Sequence, residues 1–221
     1  PAFTQKKFRM NNSSFPLEKK AYEDKQYDVA LHLLEKRFPG QRRPVREALF
    51  RVLQPKLRRK GAMDTHEALL RLARCREGNL HLVTTNFDRI FERAEKPTKQ
   101  SFNIFAAPTL PVPKNNRWDG LVFLHGLLPV KPEDESALNR LVLTSGDFGL
   151  AYLTERWAAR FVSELFRNYV VCFVGYSIND PVMRYMTDAL AADRMLGENS
   201  PQAYAFAGYE NFVSRIGVGE H

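Results

Sequence analysis

The chain has 221 residues, 44% hydrophobic and 26% charged, enough to bury a substantial core as one large domain or one with a helical insert. No stretch approaches the roughly 20 apolar residues that cross a bilayer, and no amino-terminal signal pattern is seen. Two cysteines can build neither a disulfide framework nor a four-cysteine zinc site, so a reducing cytoplasm is the expected location.

The net charge of +8 is unevenly spread. Residues 42–60 carry Arg42, Arg43, Arg46, Arg51, Lys56, Arg58, Arg59 and Lys60 against one acid, Glu47. Such a segment could meet nucleic acid or an acidic partner surface. The plainer reading is a solvated helix face with Val45, Leu49, Val52 and Leu53 turned inward, and it is preferred because no groove-reading motif accompanies the charge. The abrupt start at Pro1 and the glycine-containing tail at 217–221 read as a piece of a longer protein.

The first elements are helical. Residues 24–37 set Tyr27, Ala30, Leu31 and Leu34 on one stripe, ended by Pro39-Gly40. Pro44 suits the first turn of a second helix that stops before Pro55. Asp64-Thr65 caps a third over 67–76, closed by Gly78, with Cys75 on that helix.

From residue 80 the texture changes. Residues 80–85 form a short β-branched strand, and 88–95 resume helical character. Residues 96–118 hold four prolines and read as a long loop with an extended stretch at 102–105. A second strand at 121–124 ends at His125-Gly126, followed by a charged surface loop at 129–139 and a short extended segment at 141–144. A long amphipathic helix over 151–168 leads to a nearly all-apolar strand at 169–174, in which Cys172 is expected to be buried. Pro181 opens a helix to 191, and a last strand covers 203–207. Strands alternating with helices predict an α/β domain: a Rossmann-like, mainly parallel sheet with helices on both faces and a helical N-terminal insert. The expected division is a helical segment at 1–79 and a core at 80–221.

In an open parallel sheet, ligands bind beyond the carboxyl ends of the strands. Three strands here end in polar or glycine-bearing strings: Thr84-Thr85-Asn86-Phe87-Asp88, His125-Gly126, and Gly175-Tyr176-Ser177-Ile178-Asn179-Asp180-Pro181. Each has a bland alternative. Asn86 and Asp88 suit a turn and a helix cap, His125 a buried histidine satisfied by backbone, and Gly175 and Ser177 a helix start.

Together, in this order and spacing, the strings resemble the sirtuin family in its prokaryotic NAD-cleaving, antiphage-defence branch. The resemblance spans roughly residues 80–207. Thr85-Asn86-Phe87-Asp88 matches the family's Gln-Asn-Ile-Asp type motif, His125-Gly126 its catalytic His-Gly, and Gly175-Tyr176-Ser177 its Gly-x-Ser motif. Two departures stand out. The cysteine-ligated zinc module of the protein deacylases is absent, which favours hydrolysis of NAD itself without zinc. The family's Gly-Ala-Gly phosphate loop, where the backbone approaches a pyrophosphate at a helix start, is not found within residues 1–221 and is expected either to precede Pro1 or to be absent.

The resemblance implies an NAD+ glycohydrolase releasing nicotinamide and ADP-ribose. His125 is then the general base, a task suited to imidazole, and Asn86 orients the ribose and the attacking water. Asp88 accepts from the nicotinamide carboxamide, Gly175 allows close backbone approach, Ser177 bonds the adenosine side, and Thr85 and Asp180 complete the NAD contacts. It also implies a homo-oligomer working with a fused sensor domain or a partner such as a translocase-type ATPase or an Argonaute-like protein. The alternative is a module that senses NAD or ADP-ribose without turning it over.

Overall fold

A computed structural model describes residues 15–38, 42–55, 57–98, 101–114, 118–175 and 201–206. The chain divides into two compact units, residues 1–112 with 116–161, and residues 113–115 with 162–221.

The first unit opens with α1 (Pro16–Glu23), α2 (Tyr27–Arg37), α3 (Arg42–Leu53) and α4 (Asp64–Leu72). The stripe expected to start at residue 24 starts at Tyr27. Lys25 adopts a left-handed φ of 61°, and the Gln26 N–H returns to the Ala21 carbonyl at 2.8 Å, which closes α1 before α2 begins. Ala21, Ala30 and Leu34 form the buried seam of this helix pair. Helix α4 ends earlier than expected, so Cys75 lies in a tight turn, its N–H bonded to the Asn79 carbonyl at 3.0 Å.

The main correction in this region concerns Arg46. It is not on a solvated face but fully buried. Its Nε donates to Glu35 Oε1 at 2.7 Å, one terminal nitrogen to the carbonyls of Leu138 and Leu141 at 2.8 Å each, and the other to Asp147 Oδ2 at 2.5 Å. Arg42 adds a second contact to Asp147 at 2.9 Å, and Arg43 and Arg51 both pair with Glu47. The stem of the guanidinium is tolerated in the interior because its fork meets two carboxylates and two carbonyls.

Three parallel strands follow: β1 (His81–Thr84), β2 (Asn103–Ala106) and β3 (Gly120–Phe123), in the order β1-β3-β2. Leu121, Val122 and Phe123 of β3 have no exposed surface, so the central strand is covered on both faces. Leu121 and Phe123 pack with Leu70 of α4 and with Phe91 and Ala94 of α5 (Ile90–Thr98). Residues 103–106, expected only as an extended stretch inside a loop, pair fully with β3. Gly120 makes this approach feasible: it has a φ of 152°, and a Cβ there would stand 2.2 Å from the Asn103 carbonyl oxygen.

Beyond β3 come α6 (Glu135–Asn139) and α7 (Ser145–Phe148). The expected loop at 129–139 therefore contains a helix, because Asp134 caps it through the Ala137 N–H at 2.9 Å and Leu138 anchors it in the core. The segment expected to be extended at 141–144 forms no ladder; Thr144 instead caps α7 in a reciprocal capping box with Asp147. The long helix expected over 151–168 is broken. A π-helical turn (Gly149–Thr154) precedes α8 (Trp157–Asn168), and Arg156 takes a left-handed φ of 60° at the junction.

In the second unit, β4 (Val171–Val174) and β5 (Ala203–Phe206) pair in parallel. Phe173 meets Phe166 with ring centroids 5.8 Å apart. Cys172 is exposed rather than buried, as are Val174, Tyr204 and Phe206. The helix expected after Pro181 lies outside the described residues. All described strand pairings are parallel, giving an α/β, Rossmann-like fold. No described helix is long and apolar enough to cross a membrane.

Candidate functional site

The end of β1 is shaped by a local hydroxyl. Thr84 is nearly buried, and its Oγ1 accepts the Asn86 N–H at 3.1 Å, a turn that leaves the Asn86 side chain exposed and Thr85 half-buried. Asp88 Oδ1 accepts the Ile90 N–H at 3.0 Å, so this carboxylate serves as a cap at the start of α5.

The end of β3 lies beside it. Thr84 is in register with Phe123, so Asn86 and His125 each sit two residues past the last paired position of adjacent parallel strands. The two loops are then laced together. The Leu124 N–H donates to the Thr84 carbonyl and the Leu128 N–H to the Phe87 carbonyl, each at 2.9 Å, while Arg89 reaches the Leu128 carbonyl at 3.0 Å. Gly126 turns the chain with a φ of 98°, and a Cβ there would press on Leu141 Cδ2 at 3.0 Å and on the Arg140 carbonyl oxygen at 3.2 Å. The His-Gly pairing thus has a backbone reason: only glycine lets the strand reverse against Leu141 immediately after the histidine.

His125 itself is buried. Its Nε2 stands 2.9 Å from the Tyr152 hydroxyl, its ring meets Phe148 edge-on at 5.1 Å, and its carbonyl accepts the Val142 N–H at 2.9 Å. Asp147 precedes Phe148 in the same short helix. Burial pushes the Asp147 carboxyl up, but Arg46, the N–H groups of Thr144 and Leu143, and Arg42 outweigh it and hold it below the ordinary carboxylate range.

An open cleft of about 440 Å³ lies at the carboxyl ends of β2 and β3. Ala106 and Leu127 contribute apolar wall, and Arg89, Lys131 and Arg140 outnumber Asp134 in charge. Two of these cations are held in place, Arg89 by Glu92 at 2.8 Å and Arg140 by Ser136 at 2.6 Å. Thr85, Asn86, Asp88 and His125 are not among its lining residues.

The model of the SIR2-like domain matches residues 80–216, more than half of the chain and both laced strand ends. The chain belongs to the SIR2-like family. It is also 34% identical over 210 residues to the uncharacterized protein y4cA of Sinorhizobium fredii (strain NBRC 101917 / NGR234). That alignment covers 90% of this chain and 17% of the relative, so the chain spans a small part of that protein's length.

Of the residues singled out in this SIR2-like sequence, Thr85, Asn86, Asp88 and His125 come to one edge of one sheet. Gly175 follows β4 in the second unit, and Ser177 and Asp180 lie outside the described residues. Sequence reasoning missed Tyr152 and the Arg46–Asp147 pair. A signal for part of this was present: Thr144-Ser145-Gly146-Asp147 has capping-box spacing, which marks a helix start inside what reads as a loop.

Proposed function

We propose that this SIR2-like domain is an NAD+ glycohydrolase, with residues 80–221 as the catalytic core and 1–79 as its helical frame. The observation that carries the reading is the placement of Asn86 and His125 at the same carboxyl edge of adjacent parallel strands, where ligands of such sheets bind. At the same sheet edge, though not lined by these two residues, a cleft carries Lys131 and Arg140 against Asp134, with Arg89 paired to Glu92, and this small positive excess supports an anionic ligand such as a dinucleotide.

In the reaction, water attacks the ribose carbon bonded to the pyridinium as that C–N bond breaks. The bond's electron pair goes to nicotinamide, which leaves neutral. His125 takes the proton from the attacking water, leaving ADP-ribose. Asn86, exposed at the turn, orients the ribose and the water. Asp88, alongside its cap, accepts from the carboxamide; Thr85, Gly175, Ser177 and Asp180 hold the rest of the dinucleotide. The setting is antiphage defence in the cytoplasm, where an oligomer triggered by a sensor domain or a partner ATPase or Argonaute-like protein depletes NAD+.

Burial of His125 behind Tyr152 favours a second reading, a module that binds NAD or ADP-ribose without cleaving it. Incubation of the full-length protein with NAD, followed by chromatography, separates the two. Release of nicotinamide and ADP-ribose is expected; saturable binding with intact NAD selects the sensor.

A further inference from the structure

We infer that Tyr152 is a positioning residue for His125, fixing the plane of its imidazole through the bond at Nε2; this rests on the NAD-cleaving reading of the same site. The tyrosine hydroxyl stands 2.9 Å from His125 Nε2, and both side chains are buried, at 6% exposure each. A tyrosine hydroxyl both donates and accepts, so it bonds Nε2 whichever ring nitrogen carries the proton and holds the ring plane in either case. Phe148 completes the clasp. It stacks on Tyr152 with centroids 6.0 Å apart and planes 22° apart, while its edge meets His125.

The backbone that presents Tyr152 is unusual in a way that points to the same role. Gly149–Thr154 is π-helical, with the Glu155 N–H reaching back five residues to the Leu150 carbonyl at 2.9 Å. Such turns are rare and gather at functional sites. This one leaves Leu150 44% and Leu153 78% exposed while it turns Tyr152 inward. Hydrophobic burial alone would favour the leucines inside. The turn buries the residue that can bond the histidine instead. With His125 at the end of β3 and Asn86 at the end of β1, the tyrosine hydroxyl holds the base in line with the strand edge that carries both.

Tyr152→Phe keeps the ring and its stack on Phe148 while removing the hydroxyl, so the variant is expected to fold with a Tm loss of only about 2–4 °C. Its kcat for NAD cleavage is expected to fall about 10- to 100-fold with KM changed less than about two-fold, because ring placement acts on the transition state. Nitrogen NMR of the His125 ring is expected to show a hydrogen-bonded Nε2 in the wild type and a shifted Nε2 signal in Tyr152→Phe, where that bond is lost. Leu153→Ala, on the same turn but exposed, is the control and leaves both readouts unchanged. Wild-type kcat and unchanged ring signals in Tyr152→Phe overturn the inference, as does an equal kcat loss in Leu153→Ala, which marks damage to the turn. If the wild type releases no nicotinamide, the NAD-cleaving reading fails separately, and the ring signals alone decide whether Tyr152 holds His125.

Discussion

Arg46, with no exposed surface, donates to Asp147 across 101 residues of sequence, and Asp147 directly precedes the phenylalanine whose ring edge meets His125. One guanidinium thereby ties the helical segment to the start of the short helix that carries Phe148. The pair also joins Glu35 of α2 and the carbonyls of Leu138 and Leu141 to the same point.

Replacing Arg46 by Met is expected to destabilise the fold by about 3–5 kcal/mol, since Glu35 and Asp147 stay buried with only the part-exposed Arg42 as a cationic partner and the carbonyls of Leu138 and Leu141 lose their donor. At roughly 2–4 °C per kcal/mol this is a Tm loss of about 6–20 °C. A thermal melt within a degree or two of wild type would show that water satisfies these carboxylates and that the tie is dispensable.

Asp147 makes stability depend on pH in a definite direction. Its carboxyl is held below the ordinary range in the folded protein, so the folded state releases this proton more readily than the unfolded chain. The resulting stabilisation is fully present above the unfolded value of about 3.9 and is lost as pH falls below it through the depressed folded pKa. Urea unfolding between neutral pH and pH 3 should show a steeper acid loss for wild type than for Asp147→Asn. Parallel curves for the two proteins would remove Asp147 from the account.

Asn86→Ala is the cleanest test of the site. The side chain is exposed and the Thr84 bond uses only its backbone N–H, so Tm should hold while NAD cleavage drops by roughly 100-fold. His125→Ala should lose about as much activity, but it also empties a buried ring site beside Phe148 and Tyr152, at a cost of about 2–5 kcal/mol. Turnover must therefore be measured alongside Tm and NAD affinity on the same samples. Full turnover in folded Asn86→Ala would contradict the assigned role.

Gly126→Ala is expected to cost about 1–3 kcal/mol, because φ is 98° and the new methyl meets Leu141 and the Arg140 carbonyl. As the residue after His125, it should lower kcat beyond the loss of folded protein. Calorimetry with activity per folded molecule checks both parts.

The basic segment is expected to bind DNA no more tightly than about 10⁻⁴–10⁻⁶ M at physiological salt. Arg42, Arg43, Arg46 and Arg51 are committed to carboxylates, which leaves Arg58, Arg59 and Lys60 exposed at the end of the segment. Tight, salt-sensitive binding lost on Arg58→Ala and Arg59→Ala would show a nucleic-acid surface after all.

Local chemistry made much of this protein readable from its residues alone. The β-branched run before Thr85 and the apolar run before His125-Gly126 disclosed an α/β sheet, because strand propensity, turn residues and caps act over a few positions, while the strand-end strings pointed to the SIR2-like family by resemblance. Long-range partners were a different matter. Charge periodicity placed Arg46 on a wet face, since nothing nearby in sequence announces carboxylates on α2 and α7 that converge on it. The extended stretch at 102–105 was legible, but its pairing was not: as β2 it lies against β3, where Gly120 admits its backbone. Likewise, helical spacing ran straight through Tyr152, whereas the packed chain breaks there and turns the phenol onto His125. Propensity is summed along the chain, but burial of a charge, pairing of an edge strand and aim of a ring are set by what packing brings alongside, and these only the tertiary structure decided.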